Sequence, residues 1–284
     1  MQILTTVAQL RAWRAACLAA GRTVALVPTM GNLHRGHLEL VALAKAEASV
    51  ALASIFVNPT QFGAHDDLSS YPRTPTADCQ RLRAAGCDAV FMPEVEQMYP
   101  QGSEGMACVD VPGLSDILCG ASRPGHFVGV ATVVCKLFNL AQPDVAVFGQ
   151  KDFQQLMVIR RLVRDLNFPV RIVGAPIVRE ADGLAMSSRN RYLSAEQRAV
   201  APLLHRVLED TAAALRGGGE TFADLRARGL ARWRSAGMRA DYLAIRRREN
   251  LNRPLPDDHA LVILAAVFLG RARLIDNVTV DLPV

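Results

Sequence analysis

Short apolar runs alternating with amphipathic stretches constrain the fold of this chain more than any other feature. Runs at 23–27, 50–57, 89–92, 144–148 and 170–178 have the length of buried strands. Between them, residues 36–48, 76–85, 126–140 and 151–166 carry apolar side chains at helical spacing. This βα rhythm predicts a mostly parallel sheet with helices covering both faces. Such sheets bind ligands beyond the carboxyl ends of their strands. The informative polar segments follow residues 27, 57, 148 and 178, each at a predicted strand end.

The pattern changes after residue 178. Helical stretches at 195–216 and 222–236, separated by Gly217-Gly218-Gly219, precede strand-like runs at 241–246, 260–269 and 273–280. Helices followed by strands predict a small α+β domain. The division falls near residue 178, giving domains 1–178 and 179–284. Residues 1–20, with Arg11, Trp13 and Arg14 inside an apolar periodicity, predict an amphipathic helix and not a leader peptide. The run 260–270 is too short to cross a bilayer and predicts a buried strand.

Half of the residues are hydrophobic, enough for a substantial core. The formal net charge of +5 suits a small anionic substrate as well as nucleic acid, so it separates neither. Arg246-Arg247-Arg248, the densest basic cluster, is too short for a nucleic-acid surface and predicts a solvated face. Cysteines at 17, 79, 87, 108, 119 and 135 include no C-x-x-C pair. A disulfide framework or cysteine zinc site is not expected, and a reducing cytosol with buried inert thiols is.

The segment Val24-Ala25-Leu26-Val27-Pro28-Thr29-Met30-Gly31-Asn32-Leu33-His34-Arg35-Gly36-His37 joins a strand to a helix through a glycine-bearing turn. Helix N-termini carry unpaired N–H groups and the positive end of the dipole, which makes an anion site. Two imidazoles added there point to phosphate chemistry. A metal reading needs a third ligand, and the next histidine, His65, belongs to another loop. Phe56-Val57-Asn58-Pro59-Thr60-Gln61-Phe62 closes the second strand and offers the Gln61 amide as donor and acceptor. The plain alternative is an Asn-Pro turn.

Phe148-Gly149-Gln150-Lys151-Asp152-Phe153-Gln154-Gln155 again ends a strand and opens a helix. Lys151 supplies a mobile cation for phosphate oxygens, Asp152 a helix cap or ribose contact, and Gln155 lies one turn beyond Lys151. Gly183-Leu184-Ala185-Met186-Ser187-Ser188-Arg189-Asn190-Arg191 offers hydroxyls and guanidinium groups for a polyphosphate. A mobile loop there would exclude water. Ser122-Arg123-Pro124-Gly125-His126 places Arg123 to meet a carboxylate or phosphate, and reads His126 equally as a structural helix start.

Together with Ser54-Ile55-Phe56-Val57-Asn58-Pro59, Tyr71-Pro72-Arg73-Thr74 and Leu274-Ile275-Asp276-Asn277, these segments resemble the pantoate–β-alanine ligase family in order and spacing over nearly the whole chain. That family belongs to the nucleotidylyltransferases, whose H-x-G-H signature also resembles that of class I aminoacyl-tRNA synthetases. The resemblance implies a Rossmann-like domain binding ATP and pantoate, with the C-terminal α+β domain closing over the site. It implies ATP-dependent condensation of (R)-pantoate with β-alanine through a pantoyl adenylate, releasing AMP and pyrophosphate. His37, His34 and Lys151 take the catalytic roles. ATP contacts fall on Met30, Gly31, Asn32, Leu33, His34, Arg35, Gly36, His37, Gly149, Gln150, Lys151, Asp152, Val178, Met186, Ser187, Ser188 and Arg189. Gln61 and Gln155 bind pantoate, and Gln61 also faces β-alanine. Mg²⁺ accompanies ATP with few protein ligands, and none can be named, since Asp66 and Asp67 lack a supporting pattern. A cytoplasmic homodimer is the family expectation, with no nucleic-acid or membrane partner.

One departure stands out. Many relatives carry Gly-Glu-Lys-Asp where this chain has Gly149-Gln150-Lys151-Asp152, so no acid role falls on residue 150. Arg35, inside the histidine element, is expected to face solvent. Three other readings remain open on residues alone. The first is a nucleotidylyltransferase that stops at the nucleotide product. The second is a nucleic-acid module. The third is a redox dinucleotide enzyme, which the missing G-x-G-x-x-G after the first strand disfavours.

Overall fold

A computed structural model of the chain describes residues 1–63, 66 and 68–283. His65 and Asp67, named above as weak ligand candidates, lie outside the described residues. The chain divides into two compact units: Met1–Gln150 with Val158–Pro176, and Lys151–Met157 with Ile177–Val284. Residues 151–157 were expected in the first domain, and they belong to the second.

The first unit holds a six-stranded sheet in which every strand pair is parallel. In chain order its strands are β1 (Gln2–Leu4), β2 (Val24–Thr29), β3 (Val50–Ile55), β4 (Ala89–Phe91), β5 (Val145–Gly149) and β6 (Arg171–Ala175). Their spatial order is β1-β4-β3-β2-β5-β6. The chain therefore winds outward in one direction from β2 through β3 to β4, and in the other through β5 to β6. The reversal lies between β2 and β5, where open α/β sheets leave a crevice at the strand ends. The turns after Thr29 and after Gly149 open there.

Helices α1 (Val7–Ala19), α2 (Arg35–Glu47), α3 (Pro75–Ala84), α4 (Val95–Met98), α5 (Cys119–Ser122) and α6 (His126–Ala141) belong to this unit, and α7 (Phe153–Asp165) starts in the second. Val24, Ala25, Leu26 and Val27 are all fully buried, so successive side chains on both faces of β2 are covered. One face packs Val27, Ala51, Ala53, Val145 and Val147 against Leu40, Val41 and Ala44 of α2 and Leu82 of α3.

The predicted N-terminal helix over 1–20 is shorter than expected. Gln2–Leu4 instead pairs with β4, Leu4 opposite Phe91. The helix begins after Thr6, whose side chain accepts from Gln9 N–H in a capping box. The predicted strand 170–178 stops at Ala175, since Pro176 has no N–H for the ladder.

The second unit carries α8 (Ala195–Val200), α9 (Leu203–Gly217), α10 (Phe222–Ser235) and the antiparallel strands β7 (Arg239–Arg247), β8 (Ala260–Leu269) and β9 (Ala272–Asp281), in the order β7-β8-β9. The single helix expected over 195–216 is broken before Leu203, because Pro202 cannot donate to the preceding turn. Leu204, Val207, Leu208 and Trp233 pack on Leu243, Ile245, Leu261 and Ile263. Strand β8 is buried on both faces from Leu261 to Val267.

All six cysteines are free thiols, but burial is incomplete: Cys108 is exposed and Cys135 half-buried. Among the described residues, no helix is long and apolar enough to cross a membrane.

Candidate active site

The turn after β2 is built by its own hydrogen bonds. Gly31 has φ +79° and Asn32 φ +50°, two successive left-handed residues that swing the chain from strand to helix. A glycine meets the first position without strain, and Asn is among the residues that tolerate the second. Gly31 N–H donates to Thr29 Oγ1 at 3.2 Å. The Asn32 and Leu33 N–H groups each donate to the Asp78 carboxylate at 2.8 Å.

His34 is the N-cap of α2. Its Nδ1 accepts from Gly36 N–H at 3.1 Å, and His37 Nδ1 accepts from His34 N–H at 3.3 Å. The two histidines thus form a reciprocal capping box, with ring centroids 4.1 Å apart. A neutral imidazole whose Nδ1 accepts must carry its hydrogen on Nε2. Both rings are therefore fixed in the tautomer with an Nε2–H donor.

This revises one expectation. The sequence pointed to backbone N–H groups as the anion donors, yet those of Gly31, Asn32, Leu33, His34 and Gly36 bond to protein acceptors. Both imidazoles stand in the first turn of α2, at the positive end of its dipole. Arg35 is exposed, as expected of its place in the motif.

Gln61 is buried in the turn Pro59–Gln61. Asn58, itself 1% exposed, orients it: Asn58 Nδ2 donates to Gln61 Oε1 and to Gly129 O, each at 3.1 Å. Asn58 Oδ1 accepts from Tyr99 OH at 2.7 Å and Thr60 Oγ1 at 3.0 Å. With its oxygen held, Gln61 turns Nε2 toward Met30 Sδ at 3.1 Å, which joins this turn to the histidine loop. Arg123 meets the protein's own carboxylate, Asp66, at 2.8 Å. Burial alone would raise the Asp66 carboxyl, but hydrogen bonds from Arg123 and Gly63 N–H hold it below the usual carboxylate value. His126 Nδ1 lies 2.8 Å from Gln61 O, so the histidine supports the turn.

Gly149 ends β5 opposite Ala175. The Gln150 side-chain amide donates to Gly174 O at 3.1 Å, so it ties β5 to β6.

In the second unit, Lys151 Nζ stands 4.0 Å from Asp152 Oδ2, and Gln155 is half-buried. The backbone of Lys151 is held from β9: Asn277 Nδ2 donates to Lys151 O at 3.0 Å. The neighbouring Asp276 receives both Nη1 and Nη2 of Arg179, at 2.7 and 3.0 Å. Arg179 Nη1 also donates to Gly183 O, and Met186 N–H to Val178 O. Residues 178–186 thus form a short hairpin locked to β9, from which Ser187, Ser188 and Arg189 follow. Ser187 Oγ accepts from Arg189 N–H at 3.2 Å, which shapes the turn and leaves the hydroxyl hydrogen as donor. Adjacent residues of one strand, on opposite faces, anchor both phosphate candidates of this unit.

Reading the sequence missed Asn58 as an orienting group, Asp78, and the Arg179, Asp276 and Asn277 anchors. Asp276 and Asn277 stood in a recognised motif without a role. In the basic run, partly exposed Arg247 pairs with Asp258 and Glu249, and Arg248 with Asp281. Among the described residues, no group of three His, Cys, Asp or Glu side chains is gathered to hold a metal ion.

The family model described as pantoate-beta-alanine ligase matches residues 2–279. The chain belongs to the pantoate-beta-alanine ligase family. Pantothenate synthetase of Azotobacter vinelandii is 56% identical over 99% of this chain and 100% of its own length. That of Pseudomonas aeruginosa is 55% identical over the same shares. The crystal structure of pantothenate synthetase from Thermus thermophilus superposes with TM-score 0.90 at 47% identity, covering 98% of this chain and 99% of that one. Pantoate-beta-alanine ligase from Francisella tularensis, complexed with beta-gamma ATP and beta-alanine, gives TM-score 0.79 at 33% identity, covering 98% and 97%. This pantoate–β-alanine ligase uses ATP to join (R)-pantoate to β-alanine through a pantoyl adenylate, releasing AMP and pyrophosphate.

Proposed function

We propose that the two imidazoles at the start of α2 carry the adenylation step. The pantoate carboxylate is ionised at neutral pH and needs no general base. One carboxylate oxygen bonds to the α-phosphorus while the bond to the bridging oxygen breaks, and pyrophosphate departs with the electron pair. Negative charge grows on the phosphate oxygens, and the Nε2–H groups of His34 and His37 stabilise it. His37 gives a hydrogen bond from Nε2–H to the departing pyrophosphate and keeps its proton, because a neutral ring that accepts at Nδ1 has no second proton to lose. The supporting observation is the reciprocal capping box, which fixes both rings in the donor tautomer.

Lys151 follows the phosphate oxygens, and Ser187, Ser188 and Arg189 hold the β- and γ-phosphates. Met30, Gly31, Asn32, Leu33, Arg35, Gly36, Gly149, Gln150, Asp152, Val178 and Met186 complete the nucleotide contacts. Gln61 and Gln155 orient pantoate. Gln61 also faces β-alanine, whose amine attacks the acyl carbon, expels AMP and loses its proton. The co-bound nucleotide and β-alanine of the Francisella tularensis relative support a ternary site. Mg²⁺ enters on the triphosphate and is held chiefly by phosphate and water oxygens. The enzyme works as a homodimer in a reducing cytosol.

Incubation with ATP, pantoate and Mg²⁺, with and without β-alanine, tests this reading by product identification. Free AMP that needs β-alanine, with pantoyl adenylate retained on the enzyme in its absence, supports it. ADP as the product, or undiminished turnover after Mg²⁺ is chelated, contradicts it.

A further inference from the structure

We infer that Asp78 is a positioning residue for adenylation: it grips the backbone of Asn32 and Leu33 and so sets the His34–His37 pair. The inference rests on the reading that those imidazoles act on ATP.

Asp78 lies in the first turn of α3 and is fully buried. A carboxylate without solvent must have its oxygens occupied. Oδ2 accepts from Asn32 N–H at 2.8 Å and from Thr74 Oγ1 at 3.1 Å. Oδ1 accepts from Leu33 N–H at 2.8 Å, and Arg81 Nη1 lies 3.6 Å away. The same Arg81 Nη1 donates to Leu33 O at 2.8 Å. Leu33 is thus held at its N–H by Asp78 and at its carbonyl by Arg81.

The next residue is His34, whose own N–H is held by His37 Nδ1. A shift of Leu33 therefore moves the cap and both rings together. The turn needs such a hold, because Asn32 sits at φ +50° and only its neighbour is glycine. Space behind the turn is also tight: a Cβ on Gly31 would approach Asp78 Oδ2 to 3.1 Å. This arrangement gives the Tyr71-Pro72-Arg73-Thr74 motif a purpose, since Thr74 orients the carboxylate that orients the loop.

Charge separates a positioning role from a binding one. A carboxylate behind a phosphate loop disfavours a triphosphate by Coulomb repulsion. Its contribution is therefore geometric. Asp78→Asn keeps the shape but turns an amide NH₂ toward N–H donors. The rate of pantoyl-adenylate formation, read as pantoate-dependent exchange of labelled pyrophosphate into ATP without β-alanine, falls roughly 100-fold. The KM for ATP stays level or drops. A purely structural role would instead lower the melting temperature and leave the rate per folded molecule unchanged.

Thr74→Val, nearly isosteric, removes one hydrogen bond to the carboxylate and lowers the rate by up to about tenfold. Thr74→Ser restores it. Wild-type exchange in folded Asp78→Asn overturns the inference. If that variant does not fold, wild-type exchange in Thr74→Val overturns it. His37→Ala in the same assay separates the two claims. Impaired His37→Ala beside normal Asp78→Asn sinks the positioning role alone, whereas normal His37→Ala sinks the imidazole reading beneath it.

Discussion

Replacing Gly129 by alanine tests whether the placement of Gln61 governs pantoate binding. Gly129 sits in α6 under the Pro59–Gln61 turn, and its carbonyl accepts from Asn58 Nδ2 at 3.1 Å. A Cβ there would lie 2.4 Å from Thr60 O, 2.6 Å from Thr60 C and 2.7 Å from Gln61 Cα. Ordinary contact begins near 3.4 Å, so the turn must retreat by about 1 Å. The obstacle is backbone on both sides, which no rotamer change relieves. Overpacking of this kind costs about 1–3 kcal/mol of stability. The better helix preference of alanine returns about 0.5–1 kcal/mol of it. The enzyme therefore stays folded with a modest loss in urea midpoint. A displacement of that size at a substrate-positioning group costs roughly 100-fold in rate, equivalent to about 2.7 kcal/mol of transition-state stabilisation. Steady-state kinetics with pantoate varied at saturating ATP and β-alanine should show kcat/KM for pantoate reduced on that scale, with the KM for ATP little changed. Gly129→Ala with wild-type pantoate kinetics would refute the claim that the Asn58–Gln61–Gly129 packing sets this subsite.

Two further outcomes are expected. Asn277→Ala frees the Lys151 carbonyl and should lower kcat about tenfold while costing about 1 kcal/mol of stability by urea unfolding; unchanged kcat would separate β9 from the lysine. His205 is pushed below the ordinary histidine value by burial and by the nearby Arg179 guanidinium, against the pull of Asp276 and Glu209. The unfolded chain therefore binds the extra proton first as pH falls below about 6.5, so stability declines there and is fully present above it. Melting temperatures of wild type and His205→Gln across that range should diverge, with the slope smaller in the variant; parallel slopes would remove His205 as its source.

Strands that lie inside the sheet were legible because burial on both faces leaves an uninterrupted apolar run. Strand β8 spans 260–269 as the run does. Strand β1 was not legible. Three residues carry no period, and what makes them a strand is pairing with β4 some 87 positions away, Gln2 opposite Ala89. The grouping of Lys151–Met157 with the second unit was hidden for the same reason, because the Asn277 amide reaches the Lys151 backbone across the sequence. The histidine pair was visible as residue types at a helix start. Its tautomer was not, since that depends on which backbone N–H each Nδ1 meets. Asp78 left no signal in the side-chain pattern, because two of its partners are main-chain N–H groups that any residue supplies.

The central claim is that the imidazole of His37 stabilises the transition state of adenylation. Its most direct test is the single-turnover rate of pantoyl-adenylate formation, followed by rapid quench in wild type and His37→Ala without β-alanine. Loss of one preorganised donor predicts a rate lower by about 100- to 1,000-fold with the fold retained by circular dichroism. An adenylate that forms at the wild-type rate in the variant would contradict the account.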